Sequence, residues 1–188
     1  MLKTLLHRSV ANNLERPFGY DASYAHEVID ASPATAIKFS LVTGLVDRKA
    51  APAEALAAAG LVGTLAEDCG PCTQIGVDIA LKGGARAEVL RAILAGDEAA
   101  MGPDAALGYR FARASLARDL EAADVARDEV VRRWGRKGLI ALAMALTTAR
   151  MYPTLKYAMG HGRACTRVTI GGETRPVVRE LPRAARVA

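Results

Sequence analysis

A proline between two cysteines, in the stretch Glu67-Asp68-Cys69-Gly70-Pro71-Cys72, constrains this chain more than any other feature. Proline lacks an N–H and clashes with the preceding helical turn, so a helix accepts it only in its first turn. The residues that follow, Ile75, Ile79 and Leu81, are apolar in a helix-like pattern and end at Gly83-Gly84, a helix stop. A helix is therefore expected to begin at about Cys69, with Asp68 as its N-cap. Cys69 and Cys72 then lie three residues apart on one helical face, close enough to bond to each other.

Helical signals dominate on both sides of this point. Residues 1–19 are weakly patterned and contain Pro17, which reads as an arm with at most one short helix. Tyr20 to Ala31 reads as helical, and Ser32-Pro33 gives a cap and a start for a helix running to about Val46. Ala51 to Ala66 is rich in Ala and Leu, the strongest signal for a helix, and Gly60 and Gly63 imply close packing or a break near its end. Further helices are expected over Arg86 to Leu94, from Pro103 through Leu116, and from an Asp124 cap through Trp134, where Gly135 ends the run. Gly138 to Met151 is apolar nearly all round, as in a helix buried in a core or at a subunit interface. Pro153 then restarts the chain into a short piece ending near Gly162.

Strand character appears only at Arg167 to Ile170, followed by Gly171-Gly172 and Glu173 to Val178, the form of a two-residue hairpin. An isolated hairpin is marginal in water, so it should pack on the body or on a neighbouring subunit. The expected organisation is an arm over 1–19, an all-α domain of about eight helices over 20–162, and a basic C-terminal hairpin and tail over 163–188.

The tetrapeptide Cys-Gly-Pro-Cys is best known from thioredoxins, but that fold needs a strand leading into the dithiol, and here the preceding residues read as helical. The local physics still favours reactivity. A thiol in the first helical turn feels the positive end of the dipole, which favours its thiolate, and a neighbouring thiol can then resolve what the first attacks. Glu67 and Asp68 oppose this, since nearby anions disfavour a thiolate, while Glu67 is also a candidate proton acceptor. The alternative is a pair of ordinary buried cysteines. The proline between them, at a helix start, favours redox function.

Composition narrows the remaining classes. The net charge is +5, but the six arginines at 163, 167, 175, 179, 183 and 186 stand against Glu173 and Glu180, so the tail supplies an excess of four. A solvated basic tail explains this better than a nucleic-acid site. The three cysteines, Cys69, Cys72 and Cys165, do not make a disulfide scaffold. With no evident signal peptide and no apolar run long enough to span a bilayer, a reducing cytoplasm is the expected location. Zinc held by Cys69, Cys72, His161 and Cys165 is a weaker alternative, because Pro71 sits in a helical turn and a second Cys-x-x-Cys is missing. No cofactor and no metal are expected.

The order of helices around the dithiol resembles the carboxymuconolactone decarboxylase and alkylhydroperoxidase D-like family. The matching stretch is Ala51 to Gly84, continuing into Gly-Ala-Arg-Ala-Glu-Val-Leu-Arg-Ala-Ile-Leu-Ala-Gly ending at Gly96; Asp124 to Gly160 resembles the later helix pair. Coverage is about residues 35–160. The resemblance implies an all-α, alkylhydroperoxidase D-like helical bundle, usually a homo-oligomer. It also implies thiol chemistry on a small hydroperoxide or disulfide substrate, recycled by an unidentified thiol reductant. Carried over, Cys72 attacks and Cys69 resolves. The family's motif places a histidine four residues after the second cysteine, and this chain has Gly76 there. The family's glutamate on the preceding helix falls at Ala57, with Glu54 one turn earlier. Glu54 and Glu67 are therefore the candidate carboxylates, and His26 or His161 could approach from elsewhere in the fold. The decarboxylase branch needs no dithiol. A non-enzymatic oligomeric member with a degenerate proton relay is the main alternative.

Overall fold

Ala53–Ala66 forms the helix around which the others assemble. Its composition explains why. Ala55, Leu56, Ala58, Ala59, Leu61, Val62, Gly63 and Thr64 are all buried, so the helix is covered on nearly every side. In the computed structural model, which describes residues 1–161, 167–170 and 173–176, this helix is α5. It follows α1 (Leu2–Val10), a π-helical stretch (Ala11–Glu15), α2 (Arg16–Phe18), α3 (Ser23–Ala31), α4 (Pro33–Ser40) and a 3-10 turn (Leu41–Leu45). After it come α6 (Gly70–Lys82), α7 (Ala87–Ala95), α8 (Pro103–Ala117), α9 (Leu120–Ala158), β1 (Arg167–Ile170) and β2 (Glu173–Pro176). The described residues are mostly α-helical, as expected from the sequence.

Small residues let α5 meet bare backbone on two flanks. A Cβ added at Gly108 on α8 would lie 2.4 Å from the Ala55 carbonyl oxygen, and one added at Gly63 would lie 2.9 Å from that of Leu146 on α9. Gly63 therefore marks close packing and not a break. The main core forms around this contact, with Leu61, Leu90, Ile93, Leu107 and Leu142 fully buried.

Several boundaries differ from the sequence reading. The chain before Gly19 is helical through most of its length, not a loose arm. Val10, Leu14 and Phe18, spaced four apart, pack against a second apolar cluster built on Tyr20, Ala22 and Tyr24. Helix α9 starts at Leu120, not after Asp124, because the Asp119 carboxylate accepts from the Ala122 N–H at 3.0 Å while Arg118 ends α8 in the left-handed region. The stop expected at Gly135 is present inside α9: its backbone leaves the helical region (φ +67°, ψ −176°), and two helical segments meet there at a kink. Pro153 does not restart the chain: the helix runs through it to Ala158, with Pro153 buried. An interior proline costs about 3 kcal/mol, and the tertiary contacts of this last segment, described below, offset it.

The two strands expected from the sequence pair antiparallel, with Ile170 opposite Glu173; residues 171–172 and the expected end of the second strand at Val178 lie outside the described residues. The pair packs on its own chain. Val168 and Ile170 are buried in the main core, and the Gln74 amide both accepts from the Thr169 N–H (2.7 Å) and donates to its carbonyl (3.0 Å). The remainder of the basic tail lies outside the described residues. Among the described residues no helix is long and apolar enough to cross a membrane.

The close approach at Gly108 gives a paired test. Gly108→Ala should destabilise the fold by about 2 kcal/mol through the backbone clash at Ala55. Gly60→Ala, whose Cβ would meet Ala145 at an ordinary 3.9 Å, should instead stabilise by roughly 0.5–1 kcal/mol through helix propensity. Urea denaturation of the two variants beside the parent protein reads both signs.

Candidate active site

The dithiol sits where α5 hands over to α6. Helix α5 closes in a Schellman turn: the Asp68 N–H bonds to the Leu65 carbonyl (3.1 Å) and the Cys69 N–H to that of Thr64 (3.4 Å). Asp68 occupies the left-handed position of this turn (φ +51°), which glycine usually fills and aspartate tolerates better than most residues. Asp68 is thus part of the end of α5 and not the N-cap of α6, correcting the expectation. Cys69 is the N-cap residue, in extended conformation, and Pro71 lies in the first turn. Thr73 on the next turn shares its one hydroxyl proton between the Cys69 carbonyl (2.9 Å) and the Thr64 hydroxyl oxygen (3.1 Å), fixing the two helices to each other.

Cys69 and Cys72 are joined as a disulfide, with Cα atoms 5.3 Å apart. Both are buried, at 4% and 7% exposure, so the sulfurs are covered in this state. Tyr20, from the N-terminal segment, is the polar group on Cys72: its Oη lies 3.8 Å from Sγ, and since the bonded sulfur carries no proton the phenol is the donor. Tyr20 is itself buried and meets Tyr24 edge-on at 6.3 Å between ring centroids. Burial first, and then Tyr24 and Asp21, push the Tyr20 phenol far above its ordinary value, so it stays a neutral donor. Burial likewise pushes Tyr152, at the edge of the same cluster, up to about 12.

The end of α9 holds the loop from the other side. Arg150 Nε donates to the Glu67 carboxylate at 2.6 Å, Thr154 Oγ1, which donates to the Arg150 carbonyl at 2.7 Å, lies 3.4 Å from the second carboxylate oxygen, and Tyr157 Oη donates to the Asp68 carbonyl at 2.9 Å. Lys156, only 6% exposed, places its ammonium 4.7 Å from the Tyr20 ring centre and 5.6 Å from that of Tyr24. Burial holds Lys156 below the usual lysine range, and the Asp21 carboxylate opposes that shift.

Of the residues singled out from the sequence, Cys69, Cys72 and Glu67 come together. Glu67 is committed to Arg150, which neutralises the charge expected to disfavour a thiolate. Glu54 is elsewhere. It lies in the first turn of α5, roughly 20 Å along the helix from the cysteine end, where it pairs with Arg86 (2.8 Å) and is held below the usual carboxylate range by that hydrogen bond. The histidines are engaged away from the sulfurs. His26 bonds Glu15 at 3.1 Å and His7 at 2.6 Å, and His161 bonds Glu27 at 2.7 Å and Ser23 at 3.3 Å. Gly76 packs on α5: a Cβ there would lie 3.1 Å from Leu61 Cδ2, so a side chain at this position would require Leu61 to shift.

For the zinc alternative, Cys165 falls outside the described residues, and the described residues hold no cluster of three or more His, Cys, Asp or Glu side chains able to bind a metal. Sequence reasoning missed Tyr20 and Lys156. Lysine in an otherwise apolar-lined helical stretch was a usable signal; Tyr20, fifty-two residues from Cys72, left none. No family model, no curated protein and no solved structure matches the chain, so its function has to be read from the chemistry of this site.

The cover over Cys72 is testable. Tyr20→Ala should speed reduction of the Cys69–Cys72 disulfide by a bulky phosphine several-fold, whereas Tyr20→Phe, which keeps the ring, should stay near the parent rate. Thiol titration over time measures both. Equal rates for all three proteins would remove Tyr20 as the cover.

Proposed function

We propose that the protein is a thiol-dependent oxidoreductase of the alkylhydroperoxidase D-like type, cycling Cys69 and Cys72 between dithiol and disulfide and reducing small hydroperoxides. The observation that carries this reading is the cysteine pair itself: bonded, at the N-terminus of α6, with a neutral phenol donor on Cys72. The helix N-terminus and the paired state of Glu67 both favour thiolate at this end of the bundle.

In the reducing half-cycle the Cys72 thiolate attacks the distal oxygen of a hydroperoxide. The O–O bond breaks, the alkoxide takes a proton and leaves as the alcohol, and Cys72 becomes a sulfenic acid. The Cys69 thiol then displaces its hydroxyl as water, forming the disulfide. Two electrons pass from the dithiol to the peroxide. An external thiol reductant returns them through a mixed disulfide and is itself oxidised. Tyr20 is positioned to donate a hydrogen bond to Cys72 Sγ at each stage. The burial of the pair favours a small substrate over a protein disulfide.

A second reading is a non-enzymatic, oligomeric protein on the same scaffold. It is favoured by Gly76, which stands where the family's motif has its proton-relaying histidine. Exposed Leu41 and Leu45, beside α4, are compatible with a subunit contact under either reading.

One experiment separates them. Under mild peroxide the reduced protein should lose two hydrogen atoms by intact mass, and peroxide consumption with a dithiol reductant should fall to background in both Cys69→Ser and Cys72→Ser. Stoichiometric oxidation without turnover in the parent protein would favour the non-enzymatic reading.

A further inference from the structure

Lys156 is the buried charge that the dithiol chemistry has not yet used. It is a cation near the C-terminal end of α9, almost fully covered, and no ion pair to it within 4.0 Å occurs among the described residues. Its ammonium rests on the face of Tyr20, the same residue whose phenol touches Cys72. The ring thus spans the space between a positive charge and a sulfur. A ring face attracts a cation, and a cation held on the ring makes the phenol a stronger donor. A positive charge in a poorly hydrated site also favours a nearby anion over its neutral form.

We propose that Lys156, acting through Tyr20, holds Cys72 as a thiolate in the reduced protein and so selects it as the attacking sulfur. The proposal rests on the dithiol reading above. Lys156 is a positioning residue in this arrangement, and Tyr20 is the group in contact with the reacting atom.

The other charged and titratable groups around the pair act as follows. Glu67 is paired with Arg150, while the Asp68 carboxylate on the same loop opposes a thiolate. On the N-terminal side Asp21 acts on Lys156, and Tyr24 is buried and neutral, its phenol raised by burial. Tyr152 is likewise raised. Of these, Lys156 alone is a buried cation on the ring that meets Cys72.

The test follows Cys72 alone. In a Cys69→Ser/Cys165→Ser background it is the one thiol of the chain, and its alkylation rate by iodoacetamide is measured against pH. The expected apparent pKa is below the ordinary thiol value of about 8.5. Lys156→Met should raise it by on the order of one unit, which is about tenfold less thiolate at neutral pH. Tyr20→Phe, which removes the hydroxyl through which the charge acts, should raise it by at least as much, and Lys156→Arg should restore the starting value. A folded Lys156→Met protein with an unmoved Cys72 overturns the proposal, as does Lys156→Arg behaving like Lys156→Met. Should Lys156→Met fail to fold, Lys156→Gln gives the same reading with a polar head retained. Peroxide consumption is followed in parallel with all cysteines intact. Turnover with an unshifted Cys72 removes the role of Lys156 alone, whereas a shifted Cys72 without turnover removes the oxidoreductase reading alone.

Discussion

The close contact of α9 with α5 at Gly63 governs the rest of the structure. No side chain separates the Gly63 backbone from Leu146, Ala149 and Arg150, so the register of α9 along α5 is set there. Gly63 is one turn before Glu67, where α5 ends. With the register fixed, each successive turn of α9 meets a particular part of the cysteine loop: Arg150 takes Glu67 with Thr154 beside it, Tyr157 takes the Asp68 carbonyl, and Lys156 reaches the tyrosines. A larger residue at 63 would push α9 outward and loosen all of these contacts together. The proline inside α9 is tolerated for the same reason, because its segment is anchored on both sides.

The site is also an exercise in charge placement. Two acidic residues precede the first cysteine, and left alone they would work against a thiolate. Arg150 cancels one of them in a short ion pair. The positive end of α6 and the covered ammonium of Lys156 act in the opposite sense. None of these groups is remarkable in sequence; their effect comes from distance and from the exclusion of water around Tyr20, Tyr24 and Cys72.

The N-terminal segment takes part in the site and is not an appendage. Val10, Leu14 and Phe18 pack beneath Tyr20 and Tyr24, and His7 stacks on His26 with rings 4.9 Å apart. Each of these histidines bonds a carboxylate through Nε2, Asp30 for His7 and Glu15 for His26, while their Nδ1 atoms lie 2.6 Å apart. This chain ties α1 to α3 and so steadies the tyrosines that cover the disulfide. Lys3 adds a hydrogen bond to the Asp30 carbonyl. Val10, Leu14 and Phe18 carry a four-residue apolar spacing, but the polar and charged residues between them and Pro17 obscured it, which is why an arm was expected there.

What the sequence determined by itself is local. Pro71 required a helix start at the cysteines, Ser32-Pro33 and Pro103 required others, and alanine-rich composition required a helix over most of residues 51–66. These follow from backbone sterics and capping, which act over a few residues and need no partner. The choice between Asp119 and Asp124 as a cap, the passage of α9 through Pro153, and the reading of Asp68 as a left-handed helix end depended on competition between local preferences and packing. Glu54 and Glu67 fall at opposite ends of one helix, a separation that the helix expected over residues 51–66 already implies, so the nearness of Glu67 to the dithiol is local. The approach of Tyr20 to Cys72, and of Lys156 to the Tyr20 ring, was decided by tertiary structure alone, from positions remote in sequence. Proximity of this second kind comes from how helices are stacked, and no spacing along a single helix encodes it.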